Sequence, residues 1–576
     1  MHLKIRIMNG WFKYLSISLF LAVITEVGAQ DATLILKNAR ICTMDESRPR
    51  AEAVAMRGDR ILKVGIDAEI MKHQGRDTRV IDAKGAFVMP GLIEGHGHIH
   101  GMGASLIELN LMKAANWDEV LTMVGQAVKK AKPGDWIVGR GWHQEKWNRK
   151  PAPAHLGYPY HQSLDNVSPA NPVMLTHASG HSTYANALAL RLAGITDQTP
   201  SPKGGDIVRD PTGRMVGVLE ETAQGLVTRA YAQWMSLKSE AERKAEWQRS
   251  IRLAEEECLR YGITTFVDAG SSFSQVEWMR ELAAQDRLLV RHWVMVRSGI
   301  ESIRRQAGLF PVMNEGKGRL TVNAIKVSLD GALGSYGAWL LEPYTDRAGF
   351  MGQNTFSVPE LRDIARLAWD RNIQLCVHAI GDRANRETLD IFAEQVRRDR
   401  NKDHRWRIEH AQHVHPSDIP RFREWKVIAS MQGIHCTSDA PYVPKRLGEE
   451  RAATESYMWR SFIDAGVLVN NGTDVPVEDI DPFANLHASV TRQTADGSAF
   501  YPEQRMTRYE ALRSYTLDNA KAMFQDKDKG SIVAGKLADI VVMSEDLLNC
   551  PENKIRSARV RMTILGGVVA YRDTDF

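Results

Sequence analysis

Cysteine and net charge are both scarce in this chain. The five cysteines are odd in number and widely scattered, which excludes a disulfide framework and predicts small buried side chains instead. The formal net charge is only +4 over 576 residues, with lysine and arginine dispersed along the chain. A nucleic-acid partner is therefore not expected. The sequence also has no internal repeat and no low-complexity segment, which excludes a repeat architecture.

Long hydrophobic runs are absent beyond the N-terminus. There, three basic residues precede a short apolar stretch at 14–23. Val27-Gly28-Ala29 follows and matches the small-residue pattern of a signal-peptidase cleavage site. The stretch is short for a bilayer span, which needs about 20 apolar residues. We predict a signal peptide at residues 1–29 and export to the periplasm or medium, without stable membrane insertion after cleavage. An uncleaved anchor and a buried strand are the alternatives.

The composition is that of a soluble globular protein, with 43% apolar and 25% charged residues. This length predicts about two to four domains, or one large barrel with attachments. Short strand patterns occur near both ends, at 32–41, 60–65, 529–543 and 561–570. We therefore predict one small β-sandwich domain built from both termini, residues 30–88 and 526–576.

The middle of the chain alternates short apolar strands with amphipathic helices. Besides the strand before His96, candidates lie at 263–269, 288–296, 322–329, 373–379, 406–410, 427–431 and 467–472. Eight such strands predict an α/β fold, a (β/α)8 TIM barrel over residues 89–525. An open doubly wound sheet is the competing architecture, but no glycine-rich phosphate turn follows an early strand. The long stretch between His98 and Ile263 predicts a subdomain inserted after strand 1, at about 110–240.

Two histidines mark the end of the first barrel strand. In Gly95-His96-Gly97-His98 both imidazoles are expected on one face of an extended backbone, where their nitrogens can ligate one metal ion. A chain with 18 histidines produces such pairs by chance, so the pair alone is weak evidence. Further polar residues follow later apolar strands: Lys326 on the fourth, His378 on the fifth, His410 on the sixth and Asp474 on the eighth. In a (β/α)8 barrel these strand ends converge at the C-terminal face, where active sites lie.

Each of these residues also has a structural interpretation. The histidines could be hydrogen-bonded core residues, and Asp474 could cap a helix. Lys326 sits among apolar residues, where a charged ammonium is costly to bury, so it could extend to solvent or pair with Asp330. Alternatively, its neutral amine has captured carbon dioxide, giving a carbamate that can bridge two metal ions.

The joint pattern resembles the amidohydrolase superfamily, and within it the YtcJ-like branch of the amidohydrolase-3 type. Further matches lie at 171–175, 180–181, 377–385 and 535–539, so the resemblance covers essentially the whole mature chain. It implies two divalent metal ions, with zinc favoured by the imidazole and carboxylate ligands. The implied ligands are His96, His98 and Asp474 on one ion, His378 and His410 on the other, and Lys326, N6-carboxylated, between them. Three positions depart from the family's usual residues: Glu94, His143 and Gly433.

The resemblance implies an enzyme, a hydrolase acting on carbon–nitrogen bonds other than peptide bonds. The expected substrate is a small amide, N-acyl, N-formyl or cyclic amide compound, attacked by a metal-bridging hydroxide. Asp474 is expected to act as general base and acid, and His181 as a catalytic donor on the substrate side. The expected substrate-binding residues are Trp142, His143 and Asp330.

Several alternatives stay open at this point. His181 could instead fix the loop of the inserted subdomain, and Trp142 could pack its core. A mononuclear deaminase of the same superfamily would use His96, His98, His378 and Asp474 without a bridging lysine. A non-catalytic exported binding or regulatory protein on the same barrel is a further possibility, and a homodimer is the default oligomeric state.

Overall fold

A barrel of parallel strands forms the centre of the computed structural model, which describes residues 31–576. Its eight strands within these residues are β1 to β8: Leu92–Gly97, Ile263–Ser271, Arg291–Val296, Leu320–Ser328, Gln374–Ala379, Arg407–His410, Ile428–Met431 and Val469–Asn471. Beyond the strand ends, Asp474 N donates to His96 O (2.8 Å) and His98 N to Val475 O (2.7 Å), which draws β8 towards β1. The predicted (β/α)8 barrel is confirmed. The predicted signal peptide lies outside the described residues.

Helices lie between the strands and cover the barrel. The one that follows β4, Val358–Asp370, shows why: the Ser357 side chain accepts a hydrogen bond from Glu360 N, and the apolar face is buried. The others are Ile99–Ser105, Glu240–Arg260, Phe273–Ala284, Ile300–Gln306, Asp382–Val396, Ile419–Glu424, Gly433–Asp439, Val443–Leu447, Glu449–Glu455, Trp459–Asp464, Pro482–Thr491, Arg508–Ser514 and Leu517–Ala522. A short strand, Val312–Asn314, pairs antiparallel with β4.

Both termini contribute to one β-sandwich. One sheet has the order Val568–Arg572, Val560–Leu565, Ile540–Met543, Phe87–Pro90, Arg40–Cys42 and Arg50–Ala51. In it, Phe87–Pro90 pairs antiparallel with Ile540–Met543 and so joins the N- and C-terminal segments. The second sheet has the order Arg60–Gly65, Ala53–Arg57, Leu34–Lys37 and Arg79–Asp82. Buried apolar side chains of both sheets share one cluster, which confirms the predicted sandwich.

A separate sheet lies in the chain between β1 and β2. Its order is Gly205–Arg209, Met215–Glu221, Ser182–Ala185, Val173–His177, Ile137–Trp142 and Leu109–Asn110. The helices of this segment are Trp117–Val128, Gln162–Val167, Ala187–Leu192 and Gln224–Ser236. Trp117, Trp142 and Trp147 pack in a cluster formed by this segment alone, so the inserted subdomain has its own core. None of the helices described over residues 31–576 has the length and apolarity needed to cross a membrane.

The start of β1 differs from the expectation. The sequence predicts one apolar strand before His96, in a barrel that begins at residue 89. In the structure Phe87–Pro90 belongs to the sandwich, and a new strand, Leu92–Gly97, contains His96. The chain changes sheets at Gly91, where a Cβ would lie 2.3 Å from Oγ1 of Thr264 in β2. Any larger residue would collide there, which is why the change of sheet occurs at a glycine.

Candidate active site

The predicted metal ligands converge at the carboxyl ends of the barrel strands. His96 lies in β1, Lys326 in β4, His378 in β5 and His410 at the end of β6, whereas Asp474 follows β8. They border a cavity of about 740 Å³, with His96 fully buried beneath it. Because parallel strands of a barrel all end at the same rim, residues far apart in sequence become neighbours here.

Asp474 lies at the centre of the group. Its Oδ1 is 3.3 Å from His98 Nε2 and 3.6 Å from His96 Nε2, and its Oδ2 is 3.9 Å from His410 Nδ1. Ligand atoms of His96, His410 and Asp474 all lie within 4.8 Å of one another, close enough to belong to one metal centre. Asp474 and His410 have φ angles of +59° and +77°, a conformation that non-glycine residues rarely adopt and that clusters at functional sites.

His378 and Lys326 complete the cluster on its other side. The ring of His378 lies 4.4 Å from that of His410, and its buried Nε2 has no hydrogen-bond partner among the described residues. Lys326 Nζ lies 3.4 Å from His96 Nε2. Within residues 31–576 Lys326 forms no ion pair with Asp330, whose carboxylate instead accepts hydrogen bonds from backbone N–H groups. Of the alternatives for Lys326, the ion pair is therefore excluded.

A layer of polar side chains behind the cluster orients its imidazoles. His96 Nδ1 lies 2.5 Å from Glu409 Oε2, and Arg407 Nε lies 2.5 Å from Glu409 Oε1. His410 Nδ1 is hydrogen-bonded to Gln432 Oε1 at 2.7 Å. Partners of this kind fix the ring orientation of metal-binding histidines, and here they leave the Nε2 atoms of both histidines available.

The protonation states suit metal binding. Burial lowers the pKa of His96 to about 4 and the pKa of His378 and His410 well below the ordinary value. Burial alone would raise the pKa of Asp474, but His96 and the neighbouring imidazoles hold it well below its usual range. Burial also lowers the pKa of Lys326 to about 8, although Glu409 opposes the shift. Neutral imidazoles and an ionised carboxylate are the forms that ligate metals, so these residues fit a metal centre.

A model described as the amidohydrolase family, of the amidohydrolase-3 type, matches residues 79–571, which is most of the chain. The chain belongs to the amidohydrolase family. The resemblance noted in the sequence is thereby confirmed, and with it the metal-dependent hydrolase class.

Relatives of this amidohydrolase are similar over nearly their full length. The chain is 34% identical to Protein LONG AFTER FAR-RED 3 of Arabidopsis thaliana, over 94% of this chain and 92% of that one. It is 30% identical to N-substituted formamide deformylase of Arthrobacter pascens, over 94% of this chain and 98% of that one. Among solved structures, an uncharacterized metal-dependent hydrolase of Pyrococcus horikoshii matches with a TM-score of 0.72 at 24% identity, over 90% of this chain and 99% of that one. That structure supports the fold assignment.

The remaining predicted site residues of this amidohydrolase fall into two groups. His181, His143 and Asp330 border the cavity. Trp142 does not: it is fully buried in the core of the inserted subdomain, with its Nε1 donating to Leu175 O at 2.7 Å. Trp142 therefore packs the core of the inserted subdomain, which was the alternative for this residue, and the next residue, His143, borders the cavity.

Sequence reasoning missed three residues near the cavity. Glu409 contacts His96, and Glu221 Oε2 lies 2.9 Å from His181 Nδ1. Arg297, the first residue after β3, borders the cavity directly. Its signal was present in the sequence, because a polar residue following an apolar strand is the pattern that identified Lys326 and His378. Nothing in the sequence indicates the other two contacts, which depend on the packing of distant segments.

Proposed function

We propose that this metal-dependent hydrolase cleaves a carbon–nitrogen bond, other than a peptide bond, in a small amide, N-acyl, N-formyl or cyclic amide compound. The main support is the group of imidazoles around Asp474 at the barrel rim, with ligand atoms of three residues within 4.8 Å. Similarity over 94% of the chain to a protein named N-substituted formamide deformylase supports the choice of bond.

We assign two divalent ions, zinc by preference, to this group. His96, His98 and Asp474 would hold one ion, His378 and His410 the other, and Lys326, as an N6-carboxylated lysine, would lie between them. The buried Nε2 of His378, which makes no hydrogen bond within residues 31–576 and lies 3.6 Å from Asp330 Oδ1, fits this assignment. When bound, such ions lower the pKa of water and polarise a substrate carbonyl.

Two side chains of the protein would transfer or donate protons during the reaction. Asp474, ionised and facing the cavity, would accept a proton from the attacking water and return it to the leaving nitrogen. His181 would hydrogen-bond the substrate oxygen through Nε2, because its Nδ1 is engaged by Glu221 at 2.9 Å. Burial alone would lower the pKa of His181, but the charge and the hydrogen bond of Glu221, together with the charge of Asp330, raise this pKa above the ordinary value. A protonated donor would therefore persist to higher pH.

Replacing Glu221 with glutamine should shift the alkaline limb of the kcat/KM profile to lower pH. Glu221 and Asp330 raise the pKa of His181, whereas burial and Arg297 lower it, and the His378 ring lies 5.5 Å away. Loss of the Glu221 charge removes the main interaction that keeps His181 protonated. The measurement is kcat/KM against pH, with Glu240→Gln, an exposed carboxylate outside the cavity, as the control. An unchanged profile in Glu221→Gln would exclude a protonated His181 donor.

Metal analysis joined to a substrate screen tests the proposed function. We expect two ions per chain, hydrolysis of at least one compound in a panel of N-formyl, N-acyl and cyclic amides, loss of activity on chelation, and its return with zinc. Release of ammonia from a heterocyclic amine by a one-ion protein would instead identify a deaminase. A folded protein that binds no metal and hydrolyses none of the panel would contradict the proposal.

A further inference from the structure

Arg297 is a cation without a partner in the cavity of the active site. It follows the last residue of β3 and borders the same cavity as Lys326, His378 and Asp474. Its side chain is exposed towards this cavity. Within residues 31–576 the guanidinium makes no hydrogen bond and no ion pair, although the cavity offers carboxylates elsewhere on its wall.

Most of the other charged side chains of the cavity wall are engaged by protein partners. Arg140 donates to Ala178 O (2.7 Å) and Pro476 O (3.2 Å), and its charge lies near that of Glu108. Further pairs around the wall are Lys146 with Glu478 (3.2 Å), Asp439 with the Tyr457 hydroxyl (2.6 Å) and Glu221 with His181 (2.9 Å). Arg297 is thus the arginine of this wall whose side-chain donors are left for a ligand.

The position of Arg297 is determined by its neighbours. Its backbone N donates to Ser271 O at the end of β2 (2.9 Å), and its aliphatic part lies over Gly270, where a Cβ would come within 3.0 Å of Arg297 Cδ. Arg297 borders the same cavity as Asp474, Lys326 and His181, so an anion bound to it would lie in the cavity that contains the reacting groups. The guanidinium is exposed to the cavity and has no partner among residues 31–576, and an anion is the ligand with which it forms the strongest hydrogen bonds.

We propose that the substrate of this enzyme carries an anionic group, a carboxylate or a phosphate, that binds Arg297 while the scissile amide lies at the metal cluster. The planar guanidinium can donate two parallel hydrogen bonds to either group. This inference rests on the proposed function, because it names the class of amide that the site hydrolyses.

Binding of matched ligand pairs to metal-loaded protein, with Asp474→Asn in every variant so that the N-formyl ligands are not hydrolysed, tests the inference. The carboxylate pair is N-formylphenylalanine and N-formylphenylalaninamide; the phosphate pair is N-formylethanolamine phosphate and N-formylethanolamine. We expect calorimetry to show at least about ten-fold tighter binding of the anion in one pair, since a charge-assisted hydrogen bond contributes about that much or more. Arg297→Gln should remove this preference, Arg297→Lys should retain part of it, and both should keep the metal content of the wild type. Arg249→Gln, at an exposed position on Glu240–Arg260, is the control.

The outcomes separate the two proposals. Equal binding within both pairs, or a preference that survives in Arg297→Gln, would overturn the anion site even if neutral amides are hydrolysed. Metal loss in Arg297→Gln would also overturn it and assign the guanidinium to support of the metal cluster. An anion preference that depends on Arg297, in a protein that hydrolyses no amide, would keep the anion site and reject the proposed reaction.

Discussion

Asp474→Asn should lower kcat on the order of a thousand-fold, since general acid–base groups contribute about 10²–10⁴-fold. The amide has nearly the size of the carboxylate and keeps one oxygen towards His96 and His98, but it cannot accept a proton. Metal content should therefore stay close to that of the wild type. Steady-state kinetics with elemental analysis of the same samples measures both quantities.

Asp479→Asn is the matched control for this change. Asp479 lies five residues further along the same loop, is exposed, and does not border the cavity. Its replacement should leave kcat and metal content unaltered. If Asp474→Asn kept wild-type turnover, proton transfer by Asp474 would be ruled out. If it lost turnover together with its metal, Asp474 would act as a ligand only.

The barrel could be predicted from the sequence because its strands are short, apolar and end at polar residues. Parallel strands covered by helices are buried on both faces, so they read as apolar runs, and polar side chains near or just beyond the carboxyl end of a run lie at the rim. This rule located Lys326, His378 and Asp474 correctly relative to the cavity. It applies equally to Arg297, which was overlooked because a single arginine after a strand has no recognisable spacing.

Contacts behind the rim could not be predicted in the same way. Glu409 and His96 are 313 positions apart and meet only because β1 and β6 close into one barrel. Likewise, Glu221 reaches His181 because the sheet of the inserted subdomain places its strands antiparallel, with Ser182 opposite Glu220. Trp142 was expected to line the pocket because of its residue type. Side chains alternate between the two faces of a strand, so the direction of the Trp142 side chain depends on which face of the sheet is buried. That face could not be assigned before the sheet was known.

Lys326→Ala should weaken metal binding by more than about 100-fold, because even indirect partners of metal ligands contribute 10–100-fold. The lysine is buried 3.4 Å from His96 Nε2, and burial lowers its pKa to about 8, so a neutral amine able to capture carbon dioxide is accessible near neutral pH. As a carbamate it would supply two oxygens between the ions, and alanine supplies none. Titration with zinc and elemental analysis should show loss of at least one ion, with turnover falling in parallel. Mass spectrometry of the wild type under native conditions should show the added carbon dioxide.

Another buried lysine, Lys529, makes this test specific. Lys529 is 5% exposed, its pKa is lowered by burial to about 7, and its Nζ lies 3.3 Å from Thr265 Oγ1 near the amino end of β2, away from the rim. If the loss of any buried lysine lowered metal content and turnover, Lys529→Met and Lys326→Ala would both lower them. If the loss of a bridging ligand is the cause, only Lys326→Ala would lower them. Carbon dioxide with a small amine should restore metal and turnover to Lys326→Ala alone. Retention of both ions by Lys326→Ala would show that no lysine bridge holds them.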